Sequence, residues 1–424
     1  MTAGTGRRYV PAIVLTVSLF FLWGMANNLN DILIAQFKRS FTLTDFETSF
    51  VQQSFYVGYF LFAIPAAIVA RRGGYKAAIV TGLLLYAAGA LLFYPAARFA
   101  EYRWFLAALF VIASGLAFLE TAANPLVTEL GAPEGAAWRL TLAQAANPLG
   151  TVTGVLIGRF FILSDLPADP ARIATLSAAE RAALLRADVA AVQAPYIAIG
   201  VVVLAFALAA ALIRFPERAE VETNGQGGGA RDVAQALRDP RLRFAAVAQF
   251  FYVGAQVGLW SYTIRYAQAN VPGMSERTAA DYLFASLVLF GFGRLAGSAL
   301  MRRIAPPLLL AAFALASLTL AIAAALIGGE AGLWALVATS FFMSVQFPTI
   351  FALGIERLGP LRRAGSSIIV MAVIGGAVVT AIMGRVSDLA SIDRAMLVPA
   401  VCFVVVLLFA RRVRSSAPVA MRVH

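Results

Sequence analysis

Cysteine and histidine are almost missing from this chain: its 424 residues include one of each, Cys402 and the final residue His424. One cysteine cannot form an internal disulfide. Neither a thiolate–imidazole zinc site nor a Cys-His or Ser-His-Asp catalytic set can be assembled, so no metal or cofactor is expected. Charge is scarce too. Asp, Glu, Lys and Arg make up 13% of the chain, against roughly 25% in soluble domains. Lysine occurs only as Lys38 and Lys76. Arginine therefore carries the positive charge, which with abundant alanine points to a GC-rich bacterial genome. What is plentiful is apolar surface, at 61% of residues. A water-soluble core cannot enclose that much, and a bilayer must solvate the rest. The net charge of +12 does not imply nucleic acid, because no long basic stretch is interleaved with polar or aromatic residues. Basic loops facing the cytoplasm and anionic membrane lipid account for it.

Runs of about 20 apolar residues, the length of a spanning helix, are expected at 11–37, 47–70, 77–97, 104–130, 140–163, 193–213, 244–268, 281–301, 304–327, 331–355, 365–388 and 395–410. We number these spans 1 to 12. Span 1 contains Asn27, Asn28, Asn30 and Asp31, where a cleaved signal would be apolar, so it is read as a helix of the protein. With the N-terminus in the cytoplasm, the 34 Lys and Arg divide into 21 inside, 9 outside and 4 within spans (Arg159, Arg265, Arg294 and Arg385). The positive-inside rule then places both termini in the cytoplasm.

The longest internal polar segment contains ETNGQGGGA, a flexible linker composition. It divides the chain into an N-terminal six-helix bundle at 1–215, a cytoplasmic linker at 216–242 and a C-terminal six-helix bundle at 243–424. The halves resemble one another. Pro125 and Gly131 align with Pro348 and Gly354, Gly150 and Gly158 with Gly376 and Gly384, and Phe20, Phe21 and Gly24 with Phe250, Phe251 and Gly254. The expected fold is all-α, twelve transmembrane helices in two pseudo-symmetric bundles, with a site between them near the midplane, the architecture of major facilitator transporters.

Ionisable and amide side chains inside spans are costly and need a reason. Asn27 and Asp31 share a face of span 1, Glu120 and Asn124 share a face of span 4, and Gln144 and Asn147 lie together on span 5. Amides donate and accept as sugar hydroxyls require, and a carboxyl withdrawn from water is suited to binding a proton. The alternative is polar glue between helices. Arg71, Arg72, Gly73, Gly74 and Lys76 form a basic turn after span 2, and Arg302 and Arg303 occupy the equivalent place after span 8. They are read as orientation charges or as a cytoplasmic gate latch. Gly150, Gly154 and Gly158 permit close helix approach. Asn124-Pro125 and Phe347-Pro348 are expected to break spans 4 and 10, with freed carbonyls facing the cavity.

The motifs SLFFLWGMANNLNDIL, FLETAANPLVTELG, RLTLAQAANPLG, AQFFYVGAQVGLWSYTIRYA, FMSVQFPTIFALGI and GSSIIVMAVIGG resemble the fucose–galactose–glucose proton symporter family from about Val14 to Phe409. The resemblance implies the major facilitator fold and entry of a monosaccharide, L-fucose or a related hexose or pentose, together with a proton. It matches Asp31 and Glu120 to proton handling and Asn28, Gln144 and Asn147 to the sugar, with Asn27 and Asn124 beside them. Phe347, Trp260 and Gln256 are candidate gating or cavity residues. The chain departs from the family pattern at Phe347, where a Tyr is usual, at Ala146, where an aromatic is usual, and at Pro148, where a small polar residue is usual. A different sugar preference is therefore open.

The expectation is a monomeric proton-coupled sugar symporter of the bacterial inner membrane, and not an enzyme. The rivals are a channel or a major facilitator exporter of small apolar compounds, the exporter's cavity being mainly apolar and aromatic, and a polytopic membrane enzyme, which would need a catalytic or metal-ligand cluster.

Overall fold

The computed structural model describes residues 10–41, 45–130, 133–162, 189–215, 230–274 and 276–415, with isolated positions from 177 to 186. Ten helices among them are long and apolar enough to cross a membrane. One is α2 (Asp45–Phe99), which reverses at Gly74, where φ is 77° and ψ is 175°, and so supplies spans 2 and 3. Span 5 adds a further crossing, because it is interrupted into α4 (Ala136–Ala143), α5 (Ala146–Ile157) and a π-helical turn (Gly158–Ile162). The remaining spans are α1 (Val10–Ser40), α3 (Tyr102–Glu129), α6 (Gln193–Leu212), α8 (Pro240–Asn270), α9 (Glu276–Leu300), α10 (Pro306–Ile327), α11 (Gly329–Met343) with α12 (Gln346–Ile355), α13 (Arg362–Met371) with α14 (Gly375–Leu389), and α15 (Ile392–Ala395) with α16 (Leu397–Ser415). Twelve crossings result among the described residues. The outward faces carry large apolar side chains such as Leu212 and Leu326, each 75% exposed, as lipid contact demands.

A short helix, α7 (Ala230–Ala236), lies between the halves of the chain, in the segment read from sequence as linker. Residues 216–229 of that segment lie outside the described residues. Span 7 starts at Pro240, earlier than its hydropathy suggests. Asp239 accepts from the amides of Arg241 and Leu242, and Pro240 sits at the first helical position, a standard helix start. We call the side carrying α7 the linker face.

Backbone contact between helices depends on glycine in the same way in each half. A Cβ on Gly150 of span 5 would fall 1.9 Å from the carbonyl oxygen of Phe21 in span 1. In the other half, a Cβ on Gly375 of span 11 would fall 2.0 Å from the carbonyl oxygen of Phe250 in span 7. The paired glycine is therefore Gly375, one residue from the Gly376 that sequence alignment picks. Gly376 instead faces the hydroxyl of Tyr56, in span 2 of the opposite half.

The expected break at Asn124-Pro125 does not occur. Span 4 runs as one helix through Pro125. In span 10 the interruption lies at Ser344-Val345, before Pro348, which falls in the first turn of α12 where a missing N–H is tolerated. Span 5 has a matching interruption at Gln144-Ala145, before Pro148.

Candidate functional site

Span 4 is buried on nearly every side, and it carries the carboxyl that stands out chemically. Glu120 is 5% exposed, and among the described residues neither of its carboxyl oxygens meets a hydrogen-bond partner at ordinary distance and angle. Asn124, one turn further on, lies where its amide can turn toward the carboxyl, and Tyr59 of span 2 interacts with it electrostatically. Tyr59 accepts a hydrogen bond from the indole N–H of Trp23 in span 1. A carboxyl set this deep without a cation is destabilising for a static structure. It is chemically suited to exchanging a proton.

Amides line up beside it. Gln144 Nε2 donates to Asn124 Oδ1 at 3.1 Å, which leaves Gln144 Oε1 and Asn124 Nδ2 without partners among the described residues. Asn147 Nδ2 donates to the carbonyl of Phe20 at 3.4 Å. The backbone of Asn147 lies where a Cβ on Gly24 would be, so spans 1 and 5 touch at this level. Asn28 is half-buried, and its Cβ lies 3.3 Å from where a Cβ on Gly154 would stand. Asn27 donates to the Trp23 carbonyl one turn back. Gln144 and Asn124 thus meet one turn from Glu120, Asn147 meets span 1 at Phe20 and Gly24, and Asn28 meets span 5 at Gly154. The glycines at 24, 150 and 154 allow that approach. Asp31 lies on span 1, but its side chain is outside the described residues.

The C-terminal half presents aromatic groups to this region. Phe347 is buried and lies 6.4 Å, centroid to centroid, from both Trp23 in the other half and Tyr252 in its own. Having no hydroxyl, it leaves no polar atom to satisfy between them. Trp260 donates to Ser340 Oγ at 3.1 Å and packs on Phe290, within its own half. Gln256 is half-buried on the same helix.

Bonds that tie the halves to each other or to the linker gather at the linker face and at mid-depth. At the linker face Arg71 pairs with Asp232 of α7. Arg363 donates to the Arg71 carbonyl at 3.3 Å and lies over the ring of Tyr75. Arg362 lies 3.9 Å from Glu129, and Arg302 lies over Trp138. Deeper, Ser366 Oγ donates to the Thr121 carbonyl at 3.0 Å, and Arg294 donates to the Gln144 carbonyl at 2.7 Å. Sequence reasoning left Arg294, Ser366 and Tyr59 without roles. For Arg294 the signal was present, as a lone cation in the middle of a span. Gln249 of span 7 is a further buried side chain with neither amide atom paired among the described residues.

Comparison with known proteins places this arrangement. The family model described as Major Facilitator Superfamily matches residues 15–384. The L-fucose-proton symporter of Escherichia coli (strain K12) is 46% identical over 413 residues, which is 96% of this chain and 94% of that protein. The glucose/galactose transporter of Brucella abortus is 35% identical over 398 residues, 94% of this chain and 92% of that protein. Among solved structures, the crystal structure of the transporter FucP in the outward conformation superposes with a TM-score of 0.87 at 46% identity, covering 96% of this chain and 99% of that one. The proton:xylose symporter XylE shares the fold at a TM-score of 0.74 and 12% identity, with 97% and 96% of the two chains covered.

Proposed function

Because the chain belongs to the major facilitator superfamily, we propose that it is a proton-coupled sugar symporter that imports L-fucose or a related monosaccharide by alternating access. It is a multi-pass membrane protein and not an enzyme. The observation that carries the reading is the unpaired buried carboxyl of Glu120, set one turn from Asn124 and within reach of the Gln144–Asn147 segment. An exporter of apolar compounds has no use for that row of amides. The named relatives, L-fucose-proton symporters and glucose/galactose transporters, support a monosaccharide as cargo.

In this reading the six-helix units are 1–215 and 243–424, joined by 216–242. The arginine-rich linker face is cytoplasmic, both termini lie there, and the membrane is the bacterial inner membrane. The bonds at the linker face support a state closed to the cytoplasm, as in the outward structure it resembles. Sugar entering from outside meets Asn28, Gln144 and Asn147, with Phe347, Trp260 and Gln256 on the C-terminal side. Asp31, nearer the outside, passes a proton to Glu120. Neutralising Glu120 removes a buried charge and makes the loaded carrier easier to turn inward; the empty carrier returns after the proton leaves. Purified protein in liposomes should accumulate unchanged L-fucose when the exterior is acidified, and collapsing the gradient with a protonophore should stop it. Gradient-independent equilibration of all sugars offered would refute coupling. Inert behaviour toward L-fucose, L-galactose, D-arabinose, D-glucose and D-galactose would refute the cargo class.

A further inference from the structure

Proline has no N–H, so the carbonyl four residues before a helical proline loses its usual donor. Pro148 withholds that donor from Gln144, and Pro348 withholds it from Ser344. These are the positions where spans 5 and 10 are interrupted. The Gln144 carbonyl still accepts from the Asn147 amide at 3.0 Å, and a single side chain donates to both carbonyls. Arg294 of span 8 donates Nη1 to the Gln144 carbonyl at 2.7 Å and Nε to the Ser344 carbonyl at 3.0 Å. It is 2% exposed, and its guanidinium lies 4.7 Å over the ring of Phe290. Gly291, one turn earlier, would bring a Cβ within 3.3 Å of Pro148, so span 8 meets span 5 at this turn along its backbone too. The third case is Pro125, which frees the Thr121 carbonyl for Ser366 of the opposite half.

A buried guanidinium is tolerated where fixed carbonyls and a ring face replace its water. Here the two carbonyls belong to opposite halves, and one of them is the backbone of the Gln144–Asn147 segment. A rocking motion that separates the halves on the linker side must break the Gln144 bond, whereas the Ser344 bond can travel with the C-terminal half. We propose that Arg294 is a positioning residue. It holds the substrate segment of span 5 against the broken span 10 in the state closed on the linker side, and it lets go of the Gln144 carbonyl when that side opens. Since Gln144 is also bonded to Asn124, one turn from Glu120, the tether lies next to the groups assigned to sugar and proton.

The inference rests on the alternating-access reading, and it is tested without sugar or a pH gradient, so its failure leaves that reading standing. In a Cys402→Ala background, Ser366→Cys places a reporter thiol on the seam between halves, at a position buried here. Ala314→Cys places a second, in a separate protein, inside span 9 of the C-terminal half. Alkylation by N-ethylmaleimide is timed on purified protein. Adding Arg294→Ala should raise the rate at position 366 at least tenfold and leave position 314 unlabelled. Arg294→Lys, which reaches one carbonyl instead of two, should give an intermediate rate, and it decides the matter if the alanine variant does not fold. Equal acceleration at 366 and 314 means general loosening and overturns the proposal. So does a parental rate at 366 in a monodisperse Lys or Ala variant.

Discussion

The side-chain amide of Gln144 donates to Asn124 Oδ1 at 3.1 Å, joining span 5 to span 4 one turn from Glu120. The Gln144 amide oxygen and the Asn124 amide nitrogen have no hydrogen-bond partner among the described residues, and on the reading proposed above a sugar hydroxyl would meet them.

Gln144→Ala and Asn147→Ala should each weaken L-fucose binding by roughly 5- to 150-fold, since losing one partner of a buried hydrogen bond costs about 1–3 kcal/mol. Asn28→Ala, at a half-buried position, should fall at the lower end. Calorimetric titration on purified variants reads this directly, and wild-type affinity in all three would remove these residues from the sugar site.

Glu120→Gln keeps the shape of the neutral acid and cannot release a proton. It should bind sugar and exchange it across the membrane, yet lose uphill accumulation. Counterflow and pH-driven uptake in the same proteoliposomes give the two readouts. If the variant still concentrates sugar under an imposed gradient, coupling belongs elsewhere, and Asp31 is the next residue to test.

At the linker face, Arg71 and Asp232 are 29% and 20% exposed in their side chains. Partly solvated pairs contribute about 0–1 kcal/mol. Asp232→Asn should therefore shift the balance toward the open linker side by at most about fivefold. In the alkylation assay its effect should be clearly smaller than that of Arg294→Ala, and an equal or larger effect would move the principal tether out to α7.

Gly150→Ala would drive a methyl group into the Phe21 carbonyl, 1.9 Å away. Backbone cannot yield as a side chain does, so spans 1 and 5 must separate, at a cost of about 1–3 kcal/mol or more. Thermal melting in detergent should show a drop of several degrees together with weaker sugar binding. Gly291→Ala, where the nearest atom belongs to the Pro148 side chain at 3.3 Å, should lower the melting point much less.

Much of the fold was legible because the bilayer imposes a simple rule: a segment that crosses must satisfy its own backbone and be apolar for about 20 residues. The twelve spans follow from that rule, and the helices overrun the hydropathy windows at their wetter ends, as at Pro240. Glu120 and its amide neighbours were legible for the converse reason, since polar groups at that depth are rare unless used. Prolines were legible as residues but not as geometry. A proline in the first turn of a helix and one in its interior look alike in sequence, so the break foreseen at Pro125 is absent and the one near Pro348 lies further upstream.

By itself the sequence determined the medium, the number of crossings and the presence of a carboxyl among amides within the spans, because each follows from local composition and helical spacing. Which freed carbonyl meets which donor was decided only by tertiary structure. Arg294 and Gln144 are 150 residues apart, and nothing local to either fixes their meeting. It depends on how closely glycine lets spans 1 and 5 approach, and on which side of the membrane the two halves are in contact.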